Sequence, residues 1–398
     1  MTRLLVFETH PVQYRAPIYS HLNKLCPGSV HVAYASDFSI AASYDPEFSC
    51  NIAWDTDLLS GYDYTFLTRN RISPPIGFRG VSGSGVFQLI RTIRPHVILL
   101  TSLRYEYDFA AYFSAIALRI PIWLRIETQD QAFKRSYLKS ILRSAYYHLL
   151  YSQIQRAFPI GSLNCAHLLS HGFDSSKLSY AYYSTPNRIE HLSLSDCLSR
   201  RHSLRSTLKV PENHVLIAFF GKLIPKKNPE ILLDALQYLK KDLSRVSILY
   251  VGTGELAGRL AITADVLYKQ HSVSVNFAGF VNQSALPDYY LASDIVVLPS
   301  RFSGETWGLV VNEALQAGCS VVVSDAVGCL ADFSALPRLK SFAVGSSTGL
   351  AQAILNVMDE TRDFYWANPY LTDYTQEANA RVFAGQLHRL DTARNVFG

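Results

Sequence analysis

The sequence predicts an α/β protein of two doubly wound domains, each built on a parallel sheet, and three observations carry that expectation. Short apolar runs alternate with helical stretches. The alternation breaks at a polar segment near the middle of the chain and then restarts. The length of 398 residues also exceeds what a single core usually serves. Runs of five or six apolar residues without polar alternation mark strands buried on both faces.

In the first half, residues 3 to 7 read as a strand that delivers the polar, proline-punctuated loop Glu8 to Arg15. A helix around Pro17 to Leu25 leads to a second strand, Val30 to Ala35. His96 to Thr101 and Ile120 to Arg125 read as strands around a helix at Tyr107 to Leu118. Gln129 to Leu150 reads as a long helix, Ala157 to Ile160 as a short strand, and Ser162 to Ser170 as a helix stopped by His171-Gly172. Between Pro46 and Gly85, Trp54, Tyr62, Tyr64 and Phe66 stand among Asp, Gly, Ser and Pro, which reads as a long decorated loop over a cleft.

The stretch Ser184 to Leu208 is polar and serine-rich, so the boundary is expected there: 1–186 as the first domain, 187–208 as linker, 209–371 as the second domain. After it, Val215 to Phe220, Val246 to Val251, Val275 to Ala278, Asp294 to Leu298 and Cys319 to Val323 are expected strands. Pro229 to Leu239, Gly254 to Lys269, Gln283 to Ala292 and Thr306 to Ala317 are the helices between them. The segment 372–398 reads as helical with an interruption and suits packing on either domain. In such folds ligands bind between the carboxyl ends of strands.

With 48% hydrophobic and 17% charged residues the composition is that of a globular protein, which excludes disorder. The excess of 37 basic over 32 acidic residues lies in the first 200, where 19 Lys and Arg face 14 Asp and Glu. A mildly basic half suits an anionic substrate or lipid headgroups, and an ordinary solvated face has the same composition. No basic tail, zinc spacing or aromatic-basic signature points to nucleic acid. The six cysteines form no CxxC pair and suit a reduced, cytoplasmic protein. The opening apolar run is too short for a signal peptide, and no segment is long enough to span a bilayer, so membrane contact is expected to be peripheral at most, at the inner face of the plasma membrane.

Three segments of the second half carry candidate chemistry. In the first, the strand ending at Leu298-Pro299-Ser300 delivers a loop that places Glu305 before a helix. Gly308 sits in the expected first turn, whose free N–H groups suit a diphosphate, and Glu313 lies about two turns farther in. The second, Phe220 to Pro229, puts Lys222, Lys226 and Lys227 in one loop, where ammonium groups can offset the charge of a departing diphosphate, the task a metal performs elsewhere. The third is the tight turn Val251-Gly252-Thr253-Gly254-Glu255. Taken singly, the glycine turn is ordinary helix initiation, the lysines suit a solvated surface, and Glu313 suits a helical salt bridge. Together, each at a strand end of one sheet, they indicate a ligand site.

These motifs resemble the large family of retaining glycosyltransferases with two facing Rossmann-like domains, the glycosyl transferases group 1 or family 4, whose fold is termed GT-B. Glu305, seven residues, Glu313, then Gly318 and Val321-Val322-Val323-Ser324-Asp325 match its donor-domain signature. Lys222 and Lys227 match its basic residues after the first strand, and Val251 to Gly254 its glycine turn. The resemblance covers about residues 215 to 330, with the N-terminal half matched in layout and by His10-Pro11-Val12-Gln13-Tyr14-Arg15-Ala16-Pro17, an opening associated with bacterial surface-glycan members.

The resemblance implies transfer of a hexose-type sugar from a nucleoside-diphosphate sugar, a UDP-sugar for preference, to a glycan, lipid-linked or small-molecule acceptor, with retention, no cofactor and no divalent metal. It implies that Glu313 binds the donor ribose, that Glu305 contacts the transferred sugar, and that Lys222 and Lys227 hold the diphosphate. Thr306, Trp307, Gly308 and Leu309 would add backbone donors, with Trp307 where phenylalanine is usual. It also implies a C-terminal helix crossing back to the first domain. Many members carry a histidine after a first-domain strand, but Leu100 to Glu106 has none. His10 is the substitute candidate for contact with the transferred sugar, with Arg104 and Glu127 as acceptor-side candidates. A nucleotide-sugar epimerase, a phosphorylase or a non-catalytic glycan-assembly partner on the same architecture stays open. So does weak membrane contact through Phe133, Lys134, Arg135, Tyr137, Leu138, Lys139, Ile141, Leu142 and Arg143, for which a helix packed on its own sheet is the plainer reading.

Overall fold

In the computed structural model, residues 2–38, 40, 43–45, 47–69, 77–133 and 136–397 are described. The first sheet comprises β1 (Leu4–Glu8), β2 (Val30–Ser36), β5 (Asp63–Thr68), β6 (Val97–Leu100), β7 (Ile122–Leu124) and β8 (Arg156–Ala157). A two-stranded antiparallel hairpin, β3 (Ser43–Asp45) and β4 (Cys50–Ile52), stands apart from it. The second sheet comprises β9 (Val215–Phe220), β10 (Val246–Val251), β11 (Ser274–Gly279), β12 (Ile295–Leu298), β13 (Ser320–Ser324) and β14 (Leu339–Phe342).

All pairings within the two sheets are parallel, and the orders are β5-β2-β1-β6-β7-β8 and β11-β10-β9-β12-β13-β14. Both orders are doubly wound, with the direction of winding reversing between β1 and β6 and between β9 and β12. Central strands are apolar throughout because helices cover both faces: β1, β10, β12 and β13 are buried at every position. The edge strand β5 is half-exposed, and its alternation of Tyr64 and Phe66 with polar residues belongs to a sheet edge. That strand and the hairpin replace the long loop expected from Pro46 to Gly85; residues 46 and 70–76 of that stretch lie outside the described ones.

Several helices are shorter than their sequence pattern. The expected helix from Gln129 begins only at Tyr137 and runs to Tyr151, and the one expected from Thr306 runs from Leu309 to Gln316. In the second case Gly308 adopts φ 102° at the N-cap, a left-handed conformation that a helix cannot continue through. The polar stretch 187–208, expected as a linker, is helical over Leu194–Thr207, with a Ser193/Asp196 capping box at its start. Its buried Arg205 and its Arg201 both pair with Asp294 at the foot of β12, at 3.1 and 2.6 Å, so it packs on the second sheet. Low hydropathy there reflects a helix fastened by charge.

The last helix, Gln376–Phe397, returns to the first sheet and lies against the helix Ala16–Leu25. Phe383 is buried with its ring 4.5 Å from Phe158, beside Ala380 and Leu387. Asn379 donates to the Tyr182 carbonyl at 2.8 Å and accepts from Arg125. Because this contact joins the end of the chain to the first core, Phe383→Ala is expected to lower stability by about 3 kcal/mol. The measurement is the urea-unfolding midpoint followed by tryptophan fluorescence. An unchanged midpoint would show that the helix adds nothing to that core.

Candidate active site at the interdomain cleft

The loops that follow β9 and β12 meet at the reversal of the second sheet. Lys227 forms an ion pair with Glu305, whose carboxylate also accepts from Ser300 Oγ at 2.9 Å. Lys226 donates to the Gly304 carbonyl at 3.3 Å, and Arg301 donates to Asn228 Oδ1 at 2.7 Å. Asn228 holds φ 52°, a left-handed turn that asparagine tolerates, and this aims the lysine loop at the Glu305 loop. Burial pushes the Glu305 carboxyl upward, but Lys227 and its hydrogen bond, with Ser300 and Lys226, more than offset it and hold the group below its ordinary range. The residue is thus a fixed anion.

Glu313 behaves oppositely. Burial raises its carboxyl to about 7, partly offset by the hydrogen bond from Tyr290 Oη at 2.6 Å and by the charge of Arg188. Glu313, Lys222, Gly252 and His10 line one cavity of about 430 Å³ between the two sheets, together with Trp54 and Phe280. His10 Nδ1 lies 3.0 Å from Thr9 Oγ1, and its ring meets Phe38 edge-on.

Lys222 is held from across the cleft. Its ammonium lies 3.0 Å from Asp45 and 2.6 Å from Glu47, both on the β3–β4 hairpin, and 4.8 Å from the centre of the Phe48 ring. The hairpin and the chain just after it also touch the second domain through Phe48 and Trp54 against Phe280, and through Asn282 donating to the Ala53 carbonyl at 2.7 Å. Two carboxylates therefore occupy the lysine that the sequence offers to a diphosphate. Asp45, Glu47, Phe48 and Arg188 were not singled out by sequence; only the aromatic richness of the insertion, Trp54 included, pointed at the cleft.

The remaining sequence candidates divide. Gly252 and Gly254 hold φ 137° and 155°, and a Cβ on either would strike the backbone of Gly221 or Leu223, at 2.0 and 2.7 Å. These glycines allow two neighbouring loops to pack, and only Gly252 reaches the cavity lining. A Cβ on Gly308 would lie 2.8 Å from Leu298 and Val327, so that glycine serves close packing at the helix start. The Trp307 side chain is buried away from the cavity, donating from Nε1 to Asn312 Oδ1 at 2.7 Å and packing on Phe333, Tyr183 and Tyr374. Thr306 precedes the helix, and Leu309 opens it and lines the cavity.

Arg104 is exposed, stacks over Tyr105 and does not line the cavity. Glu127 accepts from Tyr183 Oη and does not line it either. The first domain instead buries a separate polar cluster that sequence reasoning left unread: Glu8 pairs with Arg15 at 3.1 Å and accepts from Thr101 at 2.9 Å and from Tyr19. Among the described residues, Asp130, His167 and His171 are the group whose ligand atoms approach one another as metal ligands do, within 4.8 Å. Arg143 is ion-paired to that Asp130, and Tyr151 Oη engages His167 Nε2 at 2.9 Å, so charge and hydrogen bonds within the protein already satisfy the group.

Comparison with known proteins places this geometry. Residues 201–359 match the family model for glycosyl transferases group 1. D-inositol 3-phosphate glycosyltransferase 2 of Catenulispora acidiphila is 30% identical over 208 residues, 47% of this chain and 46% of that protein. The chain thus spans no more than about half the length of the curated relatives it matches. Over the whole chain, the fold is similar to that of Anabaena Alr3699/HepE in complex with UDP and glucose, at TM-score 0.64 and 17% identity with 100% of both chains covered. It is also similar to sucrose-phosphate synthase from Thermosynechococcus elongatus, at TM-score 0.64 and 16% identity over 99% of this chain and 100% of that one. The fold is therefore GT-B, two parallel-sheet α/β domains facing across a cleft, and residues 201–359 are similar to the glycosyl transferases group 1 family.

Proposed function

We propose that this protein is a retaining glycosyltransferase that moves a hexose-type sugar from a nucleoside-diphosphate sugar, a UDP-sugar for preference, to a glycan or glycolipid acceptor, without a divalent metal. The observation that carries the reading is the convergence of Lys222 and Glu313 on one interdomain cavity, with the Lys227–Glu305 pair at the same strand ends. The UDP and glucose of the Anabaena structure and the glycosyltransferase name of the Catenulispora relative support the nucleotide-sugar class.

In this reading Lys222 and Lys227 face the diphosphate and stabilise the charge that develops as the bond from the sugar C1 to the β-phosphate oxygen breaks. The acceptor oxygen bonds to C1 on the same face, and its proton passes to the leaving phosphate. Glu305, held ionised, contacts the transferred sugar, and Glu313 accepts from ribose hydroxyls. His10 stands on the first-domain side of the same cavity, where it contacts the sugar. The domains are 1–186 and 209–371, with the 372–398 segment bound to the first.

Calorimetry against UDP-, GDP- and ADP-sugars tests the reading; one nucleotide class is expected to bind, and binding of none rejects it. Product analysis with donor alone distinguishes an epimerase, which changes the donor without acceptor. Lys227→Ala is expected to weaken donor binding roughly tenfold or more, since a charge-assisted contact contributes about 1.5–3 kcal/mol. Removing the competing carboxylates, in Asp45→Asn/Glu47→Gln, is expected to strengthen it. Equal affinity in the hairpin variant would show that Asp45 and Glu47 do not compete with the ligand.

The Glu313 carboxyl supplies a pH signature. Its value near 7 leaves it largely protonated at pH 6, and hydroxyl donors favour the ionised form, so affinity is expected to rise with pH up to about 7 and level off above it. Other ionisable groups of the cleft also change affinity with pH, so the test is the difference between wild type and Glu313→Gln across pH 5.5 to 8. The variant is expected to lose the part of the rise that belongs to the carboxyl; superimposable profiles would reject the role of Glu313.

A further inference from the structure

A second concavity lies at the end of the first sheet away from the cleft, where the parallel strands β1 and β6 begin side by side. The residues just before them clip each other: the His96 N–H donates to the Arg3 carbonyl at 2.9 Å, and the Arg3 N–H donates to His96 Nδ1 at 2.8 Å. With Nδ1 accepting, the neutral ring carries its proton on Nε2. The helix Val86–Ile93 ends beside them, with Arg91 in its last turn and Arg94 capping it at φ 50°. The Arg3 guanidinium donates to the Ile93 carbonyl at 3.1 Å and ties the strand to the helix end. Arg3, Arg91, Arg94 and His96, with Gln88 and Thr92, line an open cavity of about 790 Å³, within the size range of small-ligand sites.

The charge of this wall has one sign. None of its three arginines has a carboxylate partner among the described residues, and no Asp or Glu belongs to the lining. Burial and then Arg394 of the last helix, with Arg3, hold the His96 imidazole below its ordinary range, and Asp391, which accepts from Thr2 Oγ1 at 2.5 Å, opposes them. Arginines at a helix end also complement the helix dipole. That accounts for Arg91 and Arg94 singly. It does not account for Arg3, which precedes a strand, or for the convergence of all three on one concavity.

Guanidinium groups gathered on a concave wall without carboxylates match the oxygens of a phosphate chain. We propose that this cavity binds a soluble polyphosphate anion, inorganic or carried on a nucleoside. Arg91 and Arg94 take its oxygens in bidentate pairs, and His96 Nε2 adds a neutral donor. Pro27 and Ile93 are the apolar members of the lining, too little to seat an acyl chain, and no helix among the described residues is long and apolar enough to cross a membrane. The occupant is therefore a free anion and not a lipid headgroup. The site shares no lining residue with the cleft and does not rest on the transferase reading.

The test is calorimetry of full-length Lys227→Ala with tripolyphosphate at about 150 mM salt, where long-range attraction is screened. That substitution weakens any response from the cleft, so binding is expected to persist, and Arg91→Gln/Arg94→Asn on the same background is expected to lower it roughly tenfold or more. Both arginines are exposed and asparagine tolerates the left-handed turn at position 94, so thermal unfolding is expected to be unchanged. Arg91→Gln alone, which removes a side chain without a partner in the fold, is expected to lose several-fold of the same affinity. Absence of tripolyphosphate binding, or equal affinity in the arginine variants, overturns the proposal. So does arginine-dependent flotation with phosphatidic acid vesicles in a protein that binds no tripolyphosphate, because the occupant would then be a headgroup. Failure of nucleotide-sugar binding with the arginine-dependent site intact rejects the transferase reading and leaves this site standing.

Discussion

The cleft is organised by one buried charge. Glu305 sits at the end of β12 where an unpaired carboxylate would be destabilised by several kcal/mol, and Lys227 is the cation that offsets it. Satisfying that pair draws the loop after β9 onto the loop after β12, and the Lys226, Arg301 and Asn228 hydrogen bonds lock the two in register. Those are the loops on either side of the point where the sheet reverses direction. A ligand arriving there meets groups already oriented, so little ordering entropy remains to be lost on binding.

Lys222 lies outside this arrangement. Its own domain supplies it with no carboxylate among the described residues, and it takes Asp45 and Glu47 from the opposite domain. The same ammonium thus draws the hairpin to the second sheet and is the group proposed to meet a diphosphate. A phosphate arriving at Lys222 has to displace these carboxylates, which ties donor entry to the position of the hairpin. The exchange is of anion for anion around one cation, so its electrostatic cost is smaller than that of desolvating a free lysine.

What the sequence revealed follows the range of the interactions involved. Strand positions were legible because full burial imposes an uninterrupted apolar run, and the Glu305, Glu313 and lysine constellation was legible because its members sit at strand ends of one sheet. Helix starts were less so: an apolar pattern continues through Gly308 although the backbone there is left-handed. Asp45 and Glu47 were illegible because their partner is about 175 residues away, and an acidic hairpin has no local signature. Arg104 and Glu127 follow strands, and that place alone makes them candidates by sequence. Tertiary packing gives those side chains a ring and a tyrosine as partners instead.

The motif that reads as a ligand grip is also part of the joint between domains. The chain crosses from the first sheet to the second near Tyr183 and returns near Tyr374, and Trp307 packs against both rings. Asn312, between the two glutamates, holds the Trp307 indole N–H and donates to the Tyr183 carbonyl at 3.1 Å. Within Glu305 to Glu313, Leu309, Val310 and Glu313 line the cavity, Glu305 is buried against Lys227, and Trp307 and Asn312 fasten both crossings. A shift of one domain against the other therefore strains the same short segment that positions the candidate donor contacts. Packing and the Asn312 hydrogen bond are what hold the Trp307 side chain in place.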